Sequence, residues 1–293
     1  MDLTALSVSM VPVALAGAAF LALGVQLQSS GVHRVEMRRG QRSRSLSGSH
    51  VFALASSGTW LLGTLALGLA VVLQLVSIAY APLLLVQPLG VVALVITTWW
   101  SSRSRGVPLA KPARRAVAVC VGGVACFVGI AAIVSTERAV SQPQLVQVLM
   151  VLAAVLALIV LAFPWMTRRR QAMLYVVGAG TLYGIVATLA KVILDRLLHG
   201  QFDAGSVVAT TGVIVAVALG GYFVQNAYAC GSADLVVAGL TVIDPLVAVG
   251  IGVTVLHEAA GAPPVAIAGF VLAAVLAVSG VILLARHHPQ PAR

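Results

Sequence analysis

Asp244 lies inside one of the most apolar stretches of the chain, LTVIDPLVAVGIGV, directly before Pro245. An earlier stretch, LLLVQPLGVVALV, carries Gln87 and Pro88 at the corresponding place. A proline lacks the backbone N–H that a helix needs, and an ionisable side chain at mid-bilayer costs about 2.5–3.5 kcal/mol and is usually functional. We therefore predict that both prolines open their helices at one depth, where Asp244 and Gln87 face a central binding cavity. The alternative role for Asp244 is to cap the backbone freed near Pro245.

Other polar side chains within apolar stretches are candidates for the same binding site. Gln74 and Gln225 end two similar stretches, LGLAVVLQ and LGGYFVQ, and Asn226 follows directly. Each of the three could line the cavity or serve only as an interhelical hydrogen-bond partner, worth about 0.6 kcal/mol. Lys191 is predicted to lie above Asp244, although it could instead reach the membrane surface or pair with Asp195 one helical turn on.

Two aromatic residues and one helix end complete the set of candidates. Tyr183 and Tyr222 could line the cavity, with packing as the alternative role for each. His257 and Glu258 end the stretch that contains Asp244, and we expect them to form a solvated helix end. No group of His, Cys and carboxylate residues has metal-ligand spacing, so neither a metal site nor a cofactor is predicted.

The composition indicates a membrane protein. The chain is 60% hydrophobic and only 9% charged, whereas average soluble domains carry roughly 25% charged residues. Several segments reach the length of about 20 apolar residues that crosses ~30 Å of hydrocarbon. We therefore predict an all-α, polytopic membrane protein with about nine transmembrane helices. The nine predicted spans cover approximately residues 5–28, 57–79, 82–101, 116–134, 145–165, 173–195, 206–228, 233–256 and 264–285.

The basic residues predict the orientation of these spans. Fifteen of the 18 Lys and Arg residues fall in the loops after spans 1, 3, 5 and 7 or near the C-terminus, which we call the Arg-rich face. The opposite, Arg-poor face carries Arg138 and Arg196. Because positive residues favour cytoplasmic loops, the N-terminus is predicted outside and the C-terminus in the cytoplasm of a cell membrane. The arginines of loop 29–56 are predicted to contact anionic lipid headgroups, worth about 1 kcal/mol each, and no nucleic-acid partner is expected.

The order of the spans predicts an internal repeat. Spans 1 to 4 share features with spans 6 to 9, such as the glutamines of spans 2 and 7 and the prolines of spans 3 and 8. Corresponding helices are five spans apart, so the two halves would insert in opposite directions, as in secondary transporters. The predicted units are a first repeat at 1–134, a linking helix at 135–172, a second repeat at 173–286 and a tail at 287–293.

The stretch YAPLLLVQPLGVVALV, preceded by a helix that begins with tryptophan, resembles the drug/metabolite transporter superfamily and within it the NIPA-like branch. The matching residues are Ala81, Pro82, Leu85, Val86, Pro88, Leu89 and Gly90. The stretch from Asn226 to Gly269 is similar to the EamA-type repeat, with Pro245 in mid-helix and Glu258 at a helix end. The resemblance implies a 4+1+4 inverted-repeat fold and transport, with magnesium as the cargo in the NIPA-like branch.

Three functional hypotheses follow. The first is a secondary transporter of a small polar metabolite or a lipid-linked polar group, driven by its gradient or by protons through Asp244. The second is a carrier of magnesium or another divalent cation, and the third is a non-transporting membrane scaffold. The sequence has no G-x-x-x-x-G-K-[ST] loop, G-x-S-x-G elbow or H-E-x-x-H motif, so neither an ATP-driven pump nor an enzyme is predicted. Partners would be the substrate and the bilayer, with a homodimer left open.

Overall fold

The computed structural model describes residues 3–39, 57–104, 111–136, 139–169, 171–230 and 233–286. The described residues form helices that are joined by short turns and loops, and there is no strand among them. Residues 40–56, which form most of the predicted headgroup-contacting loop, and the tail at 287–293 lie outside the described residues.

Nine helical spans in the described part of the chain are long and apolar enough to cross a membrane, as the sequence predicts. In lipid, a helix satisfies its backbone hydrogen bonds internally, which is why long apolar segments adopt this form. The protein is therefore a multi-pass, all-α membrane protein. The helices of spans 1 and 2 are Leu3–Arg39 and Gly58–Tyr80, span 3 covers Leu83–Ser104, and spans 4 to 9 are Lys111–Val134, Gln142–Arg169, Ala172–Leu198, Ala204–Cys230, Ala233–Thr254 and Pro264–Arg286.

The two mid-span prolines have different effects on their helices. Span 3 begins as a short α-helix at Leu83–Val86, tightens into a 3₁₀ helix at Gln87–Gly90 and continues as an α-helix from Val91 to Ser104. Span 8, in contrast, stays helical through Pro245. The expectation that Pro245 breaks its helix is wrong, because a proline removes only one helical hydrogen bond and the flanking turns can continue the helix in protein surroundings.

The spans pack in pairs, and the peripheral ones present apolar side chains outward. Spans 1 and 2 are in extensive contact, as are spans 6 and 7, spans 6 and 8, and spans 4 and 9. Span 5 packs mainly against spans 6 and 7, and its Leu161 is 78% exposed. The residues of Leu83–Val86, at the start of span 3, are each at most 1% exposed and form part of the core. The start of span 3 thus belongs to the longest continuous run of buried residues, 81–89, in the described part of the chain.

Candidate functional site

A cavity of about 400 Å³ lies between spans 1, 2, 3 and 8. Ligand sites in proteins commonly have volumes of about 300–1,000 Å³, so this cavity has room for a small molecule. Three of the polar residues singled out in the sequence, on three different spans, meet there. Its lining consists of Gly17, Ala18, Leu21, Ala70, Val71, Gln74, Leu75, Gln87, Gly90, Leu240, Thr241, Asp244 and Pro245.

Asp244 enters the cavity from the middle of span 8. Its Oδ1 atom is buried and has no hydrogen-bond partner within the described residues. Span 6 approaches span 8 closely at this depth, because a Cβ atom added at Gly184 would lie 2.7 Å from the carbonyl oxygen of Asp244. Tyr183, also on span 6, is not among the residues that line this cavity, and its ring lies against Gly220 of span 7. If Asp244 only capped the backbone near Pro245, this buried oxygen would be expected to accept a hydrogen bond, and within the described residues it accepts none.

Gln87 and Gln74 reach the same cavity from spans 3 and 2. Gln87 is buried and sits at the start of the 3₁₀ turn, directly before Pro88, so the break in span 3 carries its side chain to the cavity wall. Gln74 is half-buried in an uninterrupted helix. Together with Asp244, the two amides give the cavity one carboxylate and two neutral groups that can each accept and donate hydrogen bonds.

The remaining candidates lie elsewhere. Gln225 is exposed and does not line the cavity. Asn226 donates a hydrogen bond of 2.8 Å to the carbonyl of Tyr222, one turn earlier in its own helix. Tyr222 is 48% exposed and packs against Phe163 and Phe223. Although spans 2 and 7 have similar sequences, only span 2 places its glutamine in the wall of this cavity.

Glu258 is buried, contrary to the expectation of a solvated helix end. Its side chain is 3% exposed, and its two carboxylate oxygens accept hydrogen bonds from the N–H groups of Leu83 and Leu84, each at 2.9 Å. These N–H groups belong to the first turn of span 3, where a helix lacks internal acceptors and favours a negative charge. Exposed His257 adopts a positive φ of 58°, and the chain turns there, placing Glu258 against span 3.

Lys191 contacts Glu258 and the junction of spans 2 and 3, and it does not line the cavity. Its ammonium group donates a hydrogen bond of 2.8 Å to the carbonyl of Ala81 and lies 3.6 Å from Oε1 of Glu258. Both side chains of this Lys191–Glu258 pair are at most 5% exposed. The buried turn Leu83–Val86 separates the pair from Gln87 and therefore from the cavity. Lys191 therefore neither reaches the membrane surface nor pairs with Asp195.

Polar contacts also join the other loops of the Arg-poor face. Oδ2 of Asp195 accepts a hydrogen bond of 2.7 Å from the N–H of Val140, and the backbone N–H of Thr136 donates to the carbonyl of Glu258 at 2.8 Å. Arg196 pairs with Asp203 at 2.9 Å. The backbone N–H of Ser206 and the Arg196 charge hold the pKa of Asp203 below its usual range. All four loops of this face are therefore tied together around the Lys191–Glu258 pair.

The sequence contained a signal for this cluster. Glu258 follows an apolar span after only a few residues, and Pro82 precedes a helix start that has no Ser, Thr, Asp or Asn as a cap. A helix start without a local cap needs acceptors from elsewhere in the fold. Reading these two features together would have suggested that Glu258 caps span 3.

The chain is similar to a known protein over most of its length. An uncharacterized protein of Corynebacterium glutamicum is 28% identical over 251 residues, which cover 84% of this chain and 83% of that protein. No family model matches the chain. No solved structure matches it significantly.

Proposed function

We propose that this protein is a secondary transporter that moves a small polar metabolite, or a polar group linked to a lipid, by alternating access. The observation that supports this function best is the 400 Å³ cavity in which buried Oδ1 of Asp244 has no partner among the described residues. A buried charge without a partner is costly, so a role in packing alone does not account for it. A bound substrate or a proton would compensate this charge.

The packing of the spans is consistent with the proposed inverted repeat of the drug/metabolite transporter type. Under that arrangement, contacts between spans 1 and 2 correspond to contacts between spans 6 and 7, and the contact between spans 4 and 9 maps onto itself. All three contacts are among the most extensive in the fold. Spans 3 and 8, which would also correspond, both contribute to the cavity at Gln87 and Asp244.

The Arg-poor face would be the outer face, following the rule for positive residues. In this orientation, the Lys191–Glu258 pair closes the outer ends of spans 2, 3, 6 and 8 above the substrate cavity. Alternating access then requires these ends to separate and the buried pair to become solvated. The state described here would be the one closed to the outside.

Magnesium transport is the alternative that the NIPA-like resemblance implies. Mg²⁺ prefers octahedral oxygen ligands and keeps several waters. Among the described residues that line the cavity, Asp244 supplies the one carboxylate. Magnesium uptake that depends on Asp244 would favour this alternative over a metabolite transporter.

The test begins with a screen for ligands that raise the melting temperature of the purified protein in detergent, using sugars, amino acids, nucleotides and divalent ions. Each hit is then followed in counterflow into proteoliposomes. We expect Asp244→Asn to abolish transport and its dependence on a proton gradient, and Gln87→Ala to weaken substrate binding.

The matched control is Gln225→Ala against Gln74→Ala, because the two glutamines end similar sequences but only Gln74 lines the cavity. Gln225→Ala should transport at the wild-type rate. Full transport by a well-folded Asp244→Asn protein would refute the proposed role of the cavity, and no transport of any hit by the wild type would favour a scaffold.

A further inference from the structure

The described residues that line the central cavity carry one charge, and it is negative. Asp244 is the charged residue, and Gln74, Gln87 and Thr241 are the neutral polar ones. The hydroxyl of Thr241 already donates a hydrogen bond of 2.7 Å to the carbonyl of Val237. No lysine, arginine or histidine is among the lining residues. A ligand that enters this cavity therefore meets a carboxylate without a cationic side chain beside it.

The backbone of span 8 lacks one regular helical hydrogen bond near this carboxylate. In a regular helix, the carbonyl of Thr241 would accept a hydrogen bond from the residue four positions later, but that residue is Pro245, which has no N–H. Both residues line the cavity. Oδ1 of Asp244 also has no partner among the described residues, so this part of span 8 is richer in acceptors than in donors.

From these observations we infer that the ligand of this cavity is a small organic cation with one positive charge and N–H donors, that is, a protonated primary amine. This inference rests on the proposed transport function and names its substrate class. One ammonium group balances the single carboxylate, and its three N–H donors match Asp244 and the acceptors around it. A quaternary ammonium ion would balance the charge but would leave the acceptors unpaired.

The apolar part of the lining favours an organic cation over a metal ion. Side chains such as Leu21, Val71, Leu75 and Leu240 make up much of the wall, and they offer a metal ion no ligands. Within the described residues, no group of three His, Cys, Asp or Glu side chains could hold a metal ion. Apolar walls with a few polar groups are typical of sites for organic molecules.

A second, apolar cavity of about 60 Å³ shares the lining residues Thr241 and Pro245 with the first one. It lies between spans 3, 4, 8 and 9, and its other lining residues include Val124, Phe127 and Ala274. The hydrocarbon part of the amine would point towards this cavity while its ammonium group contacts Asp244. The expected ligand is therefore an amine with a short apolar substituent.

The test compares four probes of similar shape, by calorimetry on the purified full chain in detergent. The probes are phenethylammonium, 2-phenylethanol, 3-phenylpropionate and trimethyl(phenethyl)ammonium, with Mg²⁺ as a fifth ligand. We expect phenethylammonium to bind at least roughly 30-fold more tightly than the neutral alcohol, a factor that corresponds to about 2 kcal/mol, because removing one partner of a buried charge pair leaves the other unpaired. Asp244→Asn should abolish this difference.

Variants of lining residues, compared with a variant outside the cavity, show whether the probe binds in this cavity. Gln74→Ala and Gln87→Ala should weaken phenethylammonium binding by roughly tenfold each, the loss expected for a hydrogen bond to a charged group. Gln225→Ala should leave binding unchanged. Near-UV circular-dichroism or fluorescence melting curves confirm that each variant is folded, and unchanged discrimination in a folded Asp244→Asn protein would overturn the inference.

The outcomes separate this inference from the proposed function. Transport of neutral or anionic solutes without binding of phenethylammonium would refute the inferred substrate class but support the proposed transport function. Binding of phenethylammonium that depends on Asp244, without counterflow of any solute, would support the amine-binding cavity but refute the proposed transport function. Equal binding of the trimethylated probe would refute the requirement for N–H donors, and tighter binding of Mg²⁺ would overturn the inference in favour of a metal carrier.

Discussion

The ammonium group of Lys191 lies 3.6 Å from Oε1 of Glu258, and neither side chain is more than 5% exposed. The pair connects span 6 to the loop between spans 8 and 9, and through Ala81, Leu83 and Leu84 it also holds the junction between spans 2 and 3. Burying two charges is favourable only when further hydrogen bonds satisfy them. Here the backbone at the junction of spans 2 and 3 provides those bonds.

The first prediction concerns the loss of one member of this pair. Lys191→Met should lower the free energy of unfolding by about 3–5 kcal/mol, because it leaves the Glu258 carboxylate buried without its cation. Glu258→Ala should cost at least as much, since it leaves the N–H groups of Leu83 and Leu84 without their acceptor and removes the counter-ion of the Lys191 ammonium. Melting in detergent measures both losses, and the double variant should lose less than their sum.

The control for this prediction is Lys111→Met, which removes an exposed lysine at the start of span 4. It should change stability by no more than about 0.5 kcal/mol, as expected for a surface position. Wild-type stability of Lys191→Met would mean that the pair does not hold the Arg-poor loops together.

The second prediction concerns the space in which the Glu258 carboxylate lies. A Cβ atom at Gly252 would be 2.8 Å from Oε2 of Glu258, whereas one at Gly250 would meet nothing within 4 Å. Gly252→Ala should therefore displace the carboxylate from Leu84 and destabilise the protein by about 1–3 kcal/mol. Gly250→Ala lies in the same helix and should be neutral or slightly stabilising. Equal melting temperatures of the two variants would contradict the described position of Glu258.

The third prediction tests the contact between spans 4 and 9. A Cβ atom at Gly280 would lie 2.5 Å from the backbone nitrogen of Cys120, whereas the space around Gly122 is open. Because backbone must move to admit the extra methyl group, Gly280→Ala should cost about 1–3 kcal/mol. Gly122→Ala in the facing helix should cost nothing measurable. The comparison is made by thermal unfolding in detergent, and a stable Gly280→Ala protein would show that these helices do not approach so closely.

The fourth prediction concerns orientation in the membrane. A reporter fused after Arg293 should be active in the cytoplasm, and a tag placed before Asp2 should be accessible from outside intact cells. The physical reason is the concentration of arginine on one face. A protected N-terminal tag together with a cytoplasmic C-terminal reporter would require an even number of spans.

Much of the fold could be predicted from the sequence, because crossing a bilayer imposes a strict local requirement on each segment. About 20 consecutive apolar residues suffice to specify a span, and the nine spans required no knowledge of their neighbours. Asp244, Gln87 and Gln74 were identified in the same way, since a polar side chain within such a segment is conspicuous on its own.

The tertiary structure decided where these side chains go, since hydrogen-bond partners come from distant parts of the chain. Glu258 and Lys191 each look like a helix end or a surface anchor in sequence, and only the folded loops bring them to the start of span 3. Gln74 and Gln225 occupy similar local sequences, but only Gln74 faces the cavity. Pro88 and Pro245 differ for the same reason: whether a missing N–H breaks a helix depends on the packing around it, which the sequence of one span does not contain.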